Sequence, residues 1–425
     1  MNNSLPNMNE FSARRAIEAL RNGVPNKEAV ELLGCSQPEV EAIFIDLLSK
    51  STDRESPSTN AEGMIVEGGF GSGKSHLLEH LKRIALEQNF ACSKIAISKE
   101  TQLFNVDKVF KAAIDQGSLP DGTGHLVQEI AAKLNQDTEE YAKLFRWANS
   151  SDNGISQIFA ASLIVYERSN DLELSNQIVQ FWSGTSIRIS VIRDGLRQIG
   201  QLPSYQFKMP KAAELHVQRV HFISELIKGA GYNGWVILLD EMELLANYSI
   251  LQRSKSYSEV ARWMGQISSD EYPGIVTVGT ISDDFKLYVF DQKGDRDYVV
   301  PRLRTKGDHI TASQAETGMR LINDSNLIIK EQDSGAVTNS LQILRKLYST
   351  AYAWDAPEVD MRAGGASMQR TMRSHVRRAI NEWDLLRLYP NSSPNIEETK
   401  FNLHYIEDST FEKTTSDETD SVDDN

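Results

Sequence analysis

Eight consecutive residues, Gly68-Gly69-Phe70-Gly71-Ser72-Gly73-Lys74-Ser75, fit the pattern G-x-x-x-x-G-K-[ST]. Glycines at this spacing let backbone N–H groups turn inward around a phosphate, and a helix starting in the loop adds the positive end of its dipole. Lys74 is spaced to reach β- and γ-phosphates and Ser75 to offer an oxygen to Mg²⁺, with His76 next in the same helix start. A second constellation follows the apolar run Trp235-Val236-Ile237-Leu238-Leu239, which ends in Asp240-Glu241. One carboxylate there suits Mg²⁺ (Asp240) and the other suits polarising an attacking water (Glu241). Thr280, after Ile275–Gly279, is placed either to orient that water or simply to cap a strand end.

Arginines supply the remaining candidates. Arg302 and Arg304 follow Asp291 to Asp297, a stretch read as too charged for a core. They suit either a finger reaching the γ-phosphate of a neighbouring subunit or a solvated basic loop. Between Met361 and Arg378 lie Arg362, Arg370, Arg373, Arg377 and Arg378 with no acid among them. Arg370, Arg373 and Arg377 fall at i, i+3 and i+7, so one helix face carries all three. Arg370 and Arg373 are the nucleotide-sensing candidates, and a surface contacting nucleic-acid phosphate or a merely solvated face are the alternatives.

The elements that must position these groups can be read from periodicity. Met64–Glu67 forms a short apolar strand, His76–Glu87 an amphipathic helix with Leu77, Leu78, Leu81, Ile84 and Ala85 inward, and Lys94–Ser98 a second strand. Strand, helix and strand in that order imply a parallel sheet. A helix over 210–228 delivers the strand 235–239, and 274–279 reads as another buried strand. Residues 105–206 show helical spacing without a strand period, and a single crossover needs only about 30 residues, so they read as a helical insertion. Three helices over 9–50, broken at 22–26 and 34–38, read as a packing bundle in preference to a helix-turn-helix.

The expected organisation is therefore an N-terminal helical unit (1–50), a linker (51–61) and a core made of 62–104 and 207–310. The insertion (105–206), a C-terminal helical lid (311–390) and an acidic tail (391–425) complete it. From Glu407 to Asn425 eight acids face Lys413 alone, half of the net charge of −14, and so polar a segment is expected to be disordered. Across all 425 residues, 40% are hydrophobic and 24% charged, which excludes collagenous, disulfide-scaffold and wholly disordered classes. The longest clean apolar run is far short of a membrane span, and no basic-then-apolar segment opens the chain, so a cytoplasmic location is expected. Cys35 and Cys92 lack metal-ligand spacing and are expected to be reduced.

With both motifs placed, the chain resembles P-loop ATPases that carry an additional glutamate after the Mg²⁺ aspartate. Within them it is similar to the ATP-binding proteins of BREX-type bacteriophage-exclusion loci, the BrxD and, more distantly, BrxC family. The text that carries the resemblance is Arg14 through Asn26, Glu67 through Ser75, Ala230 through Glu243 and the Arg-rich final helix. The resemblance implies an α/β, three-layer, AAA+-like fold. It also implies a Mg²⁺-dependent ATPase in defence against phage, working with itself or with a helicase, methyltransferase or nuclease. Two functions fit: an ATPase that assembles on or remodels a DNA-associated complex, or a nucleotide-gated scaffold that turns over rarely. A sequence-specific DNA binder fits poorly, because the body lacks a strong positive balance.

Overall fold

The computed structural model describes residues 9–23, 26–52, 62–267, 274–325, 327–330, 334–359 and 371–390. Three helices come first: α1 (Glu10–Asn22), α2 (Lys27–Leu33) and α3 (Pro38–Thr52). Strand β1 (Glu62–Glu67), helix α4 (Lys74–Glu87) and strand β2 (Ala91–Ala96) make a parallel strand-helix-strand unit. Helix α5 (Val106–Asp115) and the two-residue strand β3 (Gly117–Ser118) lead into α6 (Leu126–Lys133), α7 (Glu139–Ala148), α8 (Gln157–Arg168), α9 (Leu172–Trp182) and α10 (Ile189–Gln198). Helix α11 (Ala212–Gly229) returns the chain to β4 (Trp235–Asp240), followed by α12 (Ile250–Trp263) and β5 (Ile275–Ile281). After a π-helical turn (Lys286–Gln292) come α13 (Asp295–Thr305), α14 (His309–Asn323), β6 (Leu327–Ile328), α15 (Ser334–Tyr352) and α16 (Met372–Leu388).

The six strands form one sheet in the order β3-β2-β4-β5-β1-β6, parallel except for β3 at its edge. Every residue of β4 and β5 is buried, as expected of parallel strands covered on both faces. Val66, Val236, Leu238 and Val278 pack on one face against Phe44 of α3 and Leu77, Leu78 and Leu81 of α4. Ile65, Ile95, Trp235, Ile237 and Leu239 pack on the other, in the same core as the helices from α5 to α12. Helix layers on both faces of a mostly parallel sheet make this an α/β fold, consistent with a P-loop NTPase.

A third core stands apart from the sheet. Ala13, Ala16, Ile17 and Leu20 of α1 pack with Leu344, Leu347 and Tyr348 of α15 and with Val376, Ile380 and Trp383 of α16. Helix α1 thus packs with the C-terminal helices while α3 lies on the sheet. Helix α14 packs on α12 so closely that a Cβ at Gly318 would lie 1.8 Å from the Tyr257 carbonyl oxygen, and β6 pairs with β1 as a sheet edge.

Several local expectations shift. β2 spans Ala91–Ala96, not 94–98, and β5 continues two residues past Gly279, so Thr280 lies within the strand. β3 and β6 fall in segments read as helical, where two residues are too few to show a period. Asp295, in a stretch read as too charged for a core, is completely buried because Arg253 and the Tyr257 hydroxyl satisfy its carboxylate. Cys35 and Cys92 are free thiols. The linker from residue 53 and the acidic tail from 391 lie outside the described residues.

Candidate nucleotide-binding site

At the carboxyl end of β1 the chain turns through Gly68–Gly73 into α4. The Gly68 N–H donates to Ile281 O (3.1 Å) and the Ser72 N–H to Gly69 O (3.1 Å), closing the loop beside β5. Gly71 and Gly73 adopt φ of 78° and 106°, a left-handed conformation that a side chain would strain. No side chain caps the first turn of α4, which therefore presents its dipole end to the loop. Lys74 is buried, and its Nζ donates to Gly68 O at 2.8 Å.

β4 ends beside this loop. Asp240 is buried, and its Oδ1 accepts from the Thr280 hydroxyl (3.0 Å) and from the Glu241 N–H (3.1 Å). Thr280 is fully buried on the strand next to β4 and so fixes the aspartate's orientation from the side. Glu241 adopts a left-handed backbone (φ 60°), strained for a residue other than glycine, and its side chain is exposed. Desolvation in the cleft, followed by the charge of Asp240, raises its pKa above the usual carboxylate range against the pull of Lys74, Arg373 and Lys94.

The cleft above the loop is walled by elements far apart in sequence. Leu20, Leu33, Leu77, Ile329, Met372 and Val376 give it apolar sides, while Ser75, Asp240 and Glu241 line it with oxygen. Thr371, whose hydroxyl caps α16 by accepting from the Ser374 N–H, lies against the loop: a Cβ on Gly71 would meet its Oγ1 at 2.9 Å. The Arg373 guanidinium stands 5.4 Å from the centre of the half-exposed Phe70 ring, and Nη2 reaches Asn22 O at 3.5 Å. His76 lines the cleft too, with Nε2 donating to Gly34 O (2.6 Å), and burial lowers its pKa.

The candidates from the sequence are therefore not all gathered here. Phe70, Gly71, Ser72, Gly73, Lys74, Ser75, His76, Asp240, Glu241 and Arg373 line one cleft, with Gly68, Gly69 and Thr280 beside it but outside its lining. Arg302 and Arg304 sit exposed on the last turn of α13, Arg304 within 3.3 Å of Glu316, and neither lines the cleft. Arg370, like Arg362, lies outside the described residues. Two residues that the motifs do not single out belong to the site. Lys94 of β2 donates to Ser75 O (3.0 Å) and stands 4.0 Å from Asp240 Oδ2. Glu243 is buried 3.4 Å from Lys74 Nζ, and its signal in the sequence is only one more acid two positions after Glu241. Among the described residues no cluster of three or more His, Cys, Asp or Glu forms a metal cage.

No helix among the described residues is long and apolar enough to cross a membrane. No curated protein and no solved structure matches the chain. A family model does, that of the BREX system ATP-binding protein BrxC/D, over residues 9–163 and 213–395. The omitted stretch holds α9, α10 and the end of α8, away from the residues that line the cleft. Because the match spans most of the chain and includes the phosphate loop and both carboxylates of β4, the protein belongs to the BREX system ATP-binding protein BrxC/D family.

Proposed function

We propose that this protein is a Mg²⁺-dependent ATPase of the phage-defence system, which spends ATP turnover on assembling on, or remodelling, a DNA-associated partner complex. The observation that carries the reading is the meeting of Lys74, Ser75, Asp240 and Glu241 in one cleft at the carboxyl end of a parallel sheet. Lys74 and the uncapped first turn of α4 bind the phosphates. The donors near the metal position are hard oxygens, the Ser75 hydroxyl and the Asp240 carboxylate. This set suits Mg²⁺, which keeps several waters and takes few protein ligands. When bound, Mg²⁺ would neutralise charge developing on the phosphate oxygens. Glu241 takes a proton from the attacking water, and Thr280 keeps Asp240 aligned beside it. The apolar wall from Leu20, Leu33, Met372 and Val376 receives the flat base.

A second reading, a nucleotide-gated scaffold with rare turnover, is favoured by a separate observation. Asn22, Phe70 and Arg373 tie both helical ends of the described chain to the phosphate loop, so a change at the loop reaches the helical core of α1, α15 and α16. One experiment separates the readings: sizing the protein with and without ATP and duplex DNA while phosphate release is followed. Steady release that DNA stimulates supports the ATPase. A single turnover with an ATP-dependent change of size supports the scaffold, and no ATP-dependent signal of either kind defeats both.

A further inference from the structure

Three carboxylates leave the end of β4, and only two have a part in the chemistry proposed above. Asp240 is tied to Thr280, and Glu241 faces outward at the cleft. Glu243 is turned inward on the 3-10 turn Met242–Asn247 and is 5% exposed. What distinguishes it is its partner, the lysine of the phosphate loop. Oε1 stands 3.4 Å from Lys74 Nζ, while Oε2 is buried with no hydrogen-bond partner. A carboxylate buried for structural reasons alone is ordinarily satisfied at both oxygens, because an unmet acceptor costs its full desolvation.

Lys74 shows the other half of the arrangement. Its Nζ donates to Gly68 O (2.8 Å), approaches Gly69 O (3.4 Å) and faces Glu243, so the ammonium lies across the floor of the loop. A phosphate entering the loop needs that same ammonium. Glu243 and a nucleotide phosphate are then two anions competing for one cation in a water-poor cleft, where such competition is strong.

We infer that Glu243 is a positioning residue for Lys74, holding the ammonium in the phosphate loop in competition with nucleotide phosphate and thereby keeping ADP release fast. The inference rests on the nucleotide reading of the cleft. When phosphate departs, Lys74 returns to Glu243 and is not left as an unpaired buried charge. Weak product binding is the consequence. A neutral residue of the same shape would leave Lys74 wholly to the nucleotide.

The test uses the full chain with Mg²⁺, measuring ADP and ATP binding by titration calorimetry and turnover by phosphate release for the parent, Glu243→Gln and Glu243→Asp. Glu243→Gln should bind ADP tighter by about three- to tenfold, tenfold being 1.4 kcal/mol. It should also lower KM for ATP without raising kcat, and Glu243→Asp, which keeps the charge, should stay near the parent. A glutamate with a purely structural role would give lower melting temperatures and no gain in affinity. Unchanged or weaker ADP binding by a folded Glu243→Gln protein overturns the inference and leaves the nucleotide reading intact. A parent that binds neither nucleotide overturns that reading, and this inference with it.

Discussion

Arg253 and Asp295, where α12 meets α13, are joined by two parallel 2.7 Å hydrogen bonds, whereas Lys74 and Glu243 in the cleft share one 3.4 Å contact. Both pairs are buried. Around the first, nothing is left wanting: Arg253 Nη1 also donates to Tyr248 O (2.6 Å), and the Tyr257 hydroxyl donates to Asp295 Oδ2 (2.7 Å). Around the second, one glutamate oxygen has no partner. A bidentate, fully satisfied pair fixes one geometry and resists exchange, while a single loose contact leaves the cation available to another anion. The same chemistry of opposite charges thus serves architecture at one place and ligand exchange at the other.

The comparison can be broken most forcefully on the exchange side. Glu241→Gln should retain ATP binding and lower phosphate release by about 10²- to 10⁴-fold, the usual contribution of a positioned general base. Parental release rates would remove Glu241 from the chemistry. On the architectural side, Asp295→Ala leaves Arg253 buried and uncompensated and should cost about 3–5 kcal/mol in urea unfolding. The double variant Arg253→Met/Asp295→Leu should recover much of that loss, and a double variant as unstable as the single one would deny that the pair acts as a unit.

Lys74→Ala should weaken ATP binding by about 10- to 100-fold, the worth of a charged hydrogen bond, and, because it leaves Glu243 buried without its cation, should lower the melting temperature, though by less than Asp295→Ala. A large loss of stability would make Lys74 resemble Arg253 and erase the contrast. The smallest effect is expected at the loop's rim: Phe70→Ala removes the ring under Arg373 and should weaken nucleotide binding by about 0.5–1 kcal/mol. An effect many times larger would mean that Phe70 touches the nucleotide itself.

Much of this arrangement was legible in the sequence, and the parts that were not share a cause. The phosphate loop, the apolar strands that became β1, β4 and β5, and the helix α4 are local patterns, readable from glycine spacing and runs of apolar residues. Glu243 and Lys94 carry no pattern of their own. They become site residues through burial and through the adjacency of β2 to β4, which periodicity does not encode. The apolar faces of α1 and α15 announce that something covers them without naming each other, so the shared core went unread. Asp295 reversed a composition argument because one arginine 42 positions earlier satisfied its charge. Arg302 and Arg304 lie on an exposed part of α13, apart from the lining of this chain's own cleft.

The core that α1 shares with α15 and α16 has a further consequence, for the order in which the site comes into being. Arg14 Nε donates to Ala351 O and Arg21 to Asp384, contacts that bridge 337 and 363 positions of chain. Closing so long a loop costs little more at equilibrium than closing one half as long, about 0.6 kcal/mol per doubling, but during synthesis the partners must wait for each other. The phosphate loop and the β4 carboxylates leave the ribosome well before Met372, Arg373 and Val376, which form the facing wall. Until α15 and then α16 emerge, the apolar stripe of α1 has only α2 against it. A growing chain therefore possesses its phosphate loop before it possesses a nucleotide cleft, and the arrival of α16 converts the one into the other.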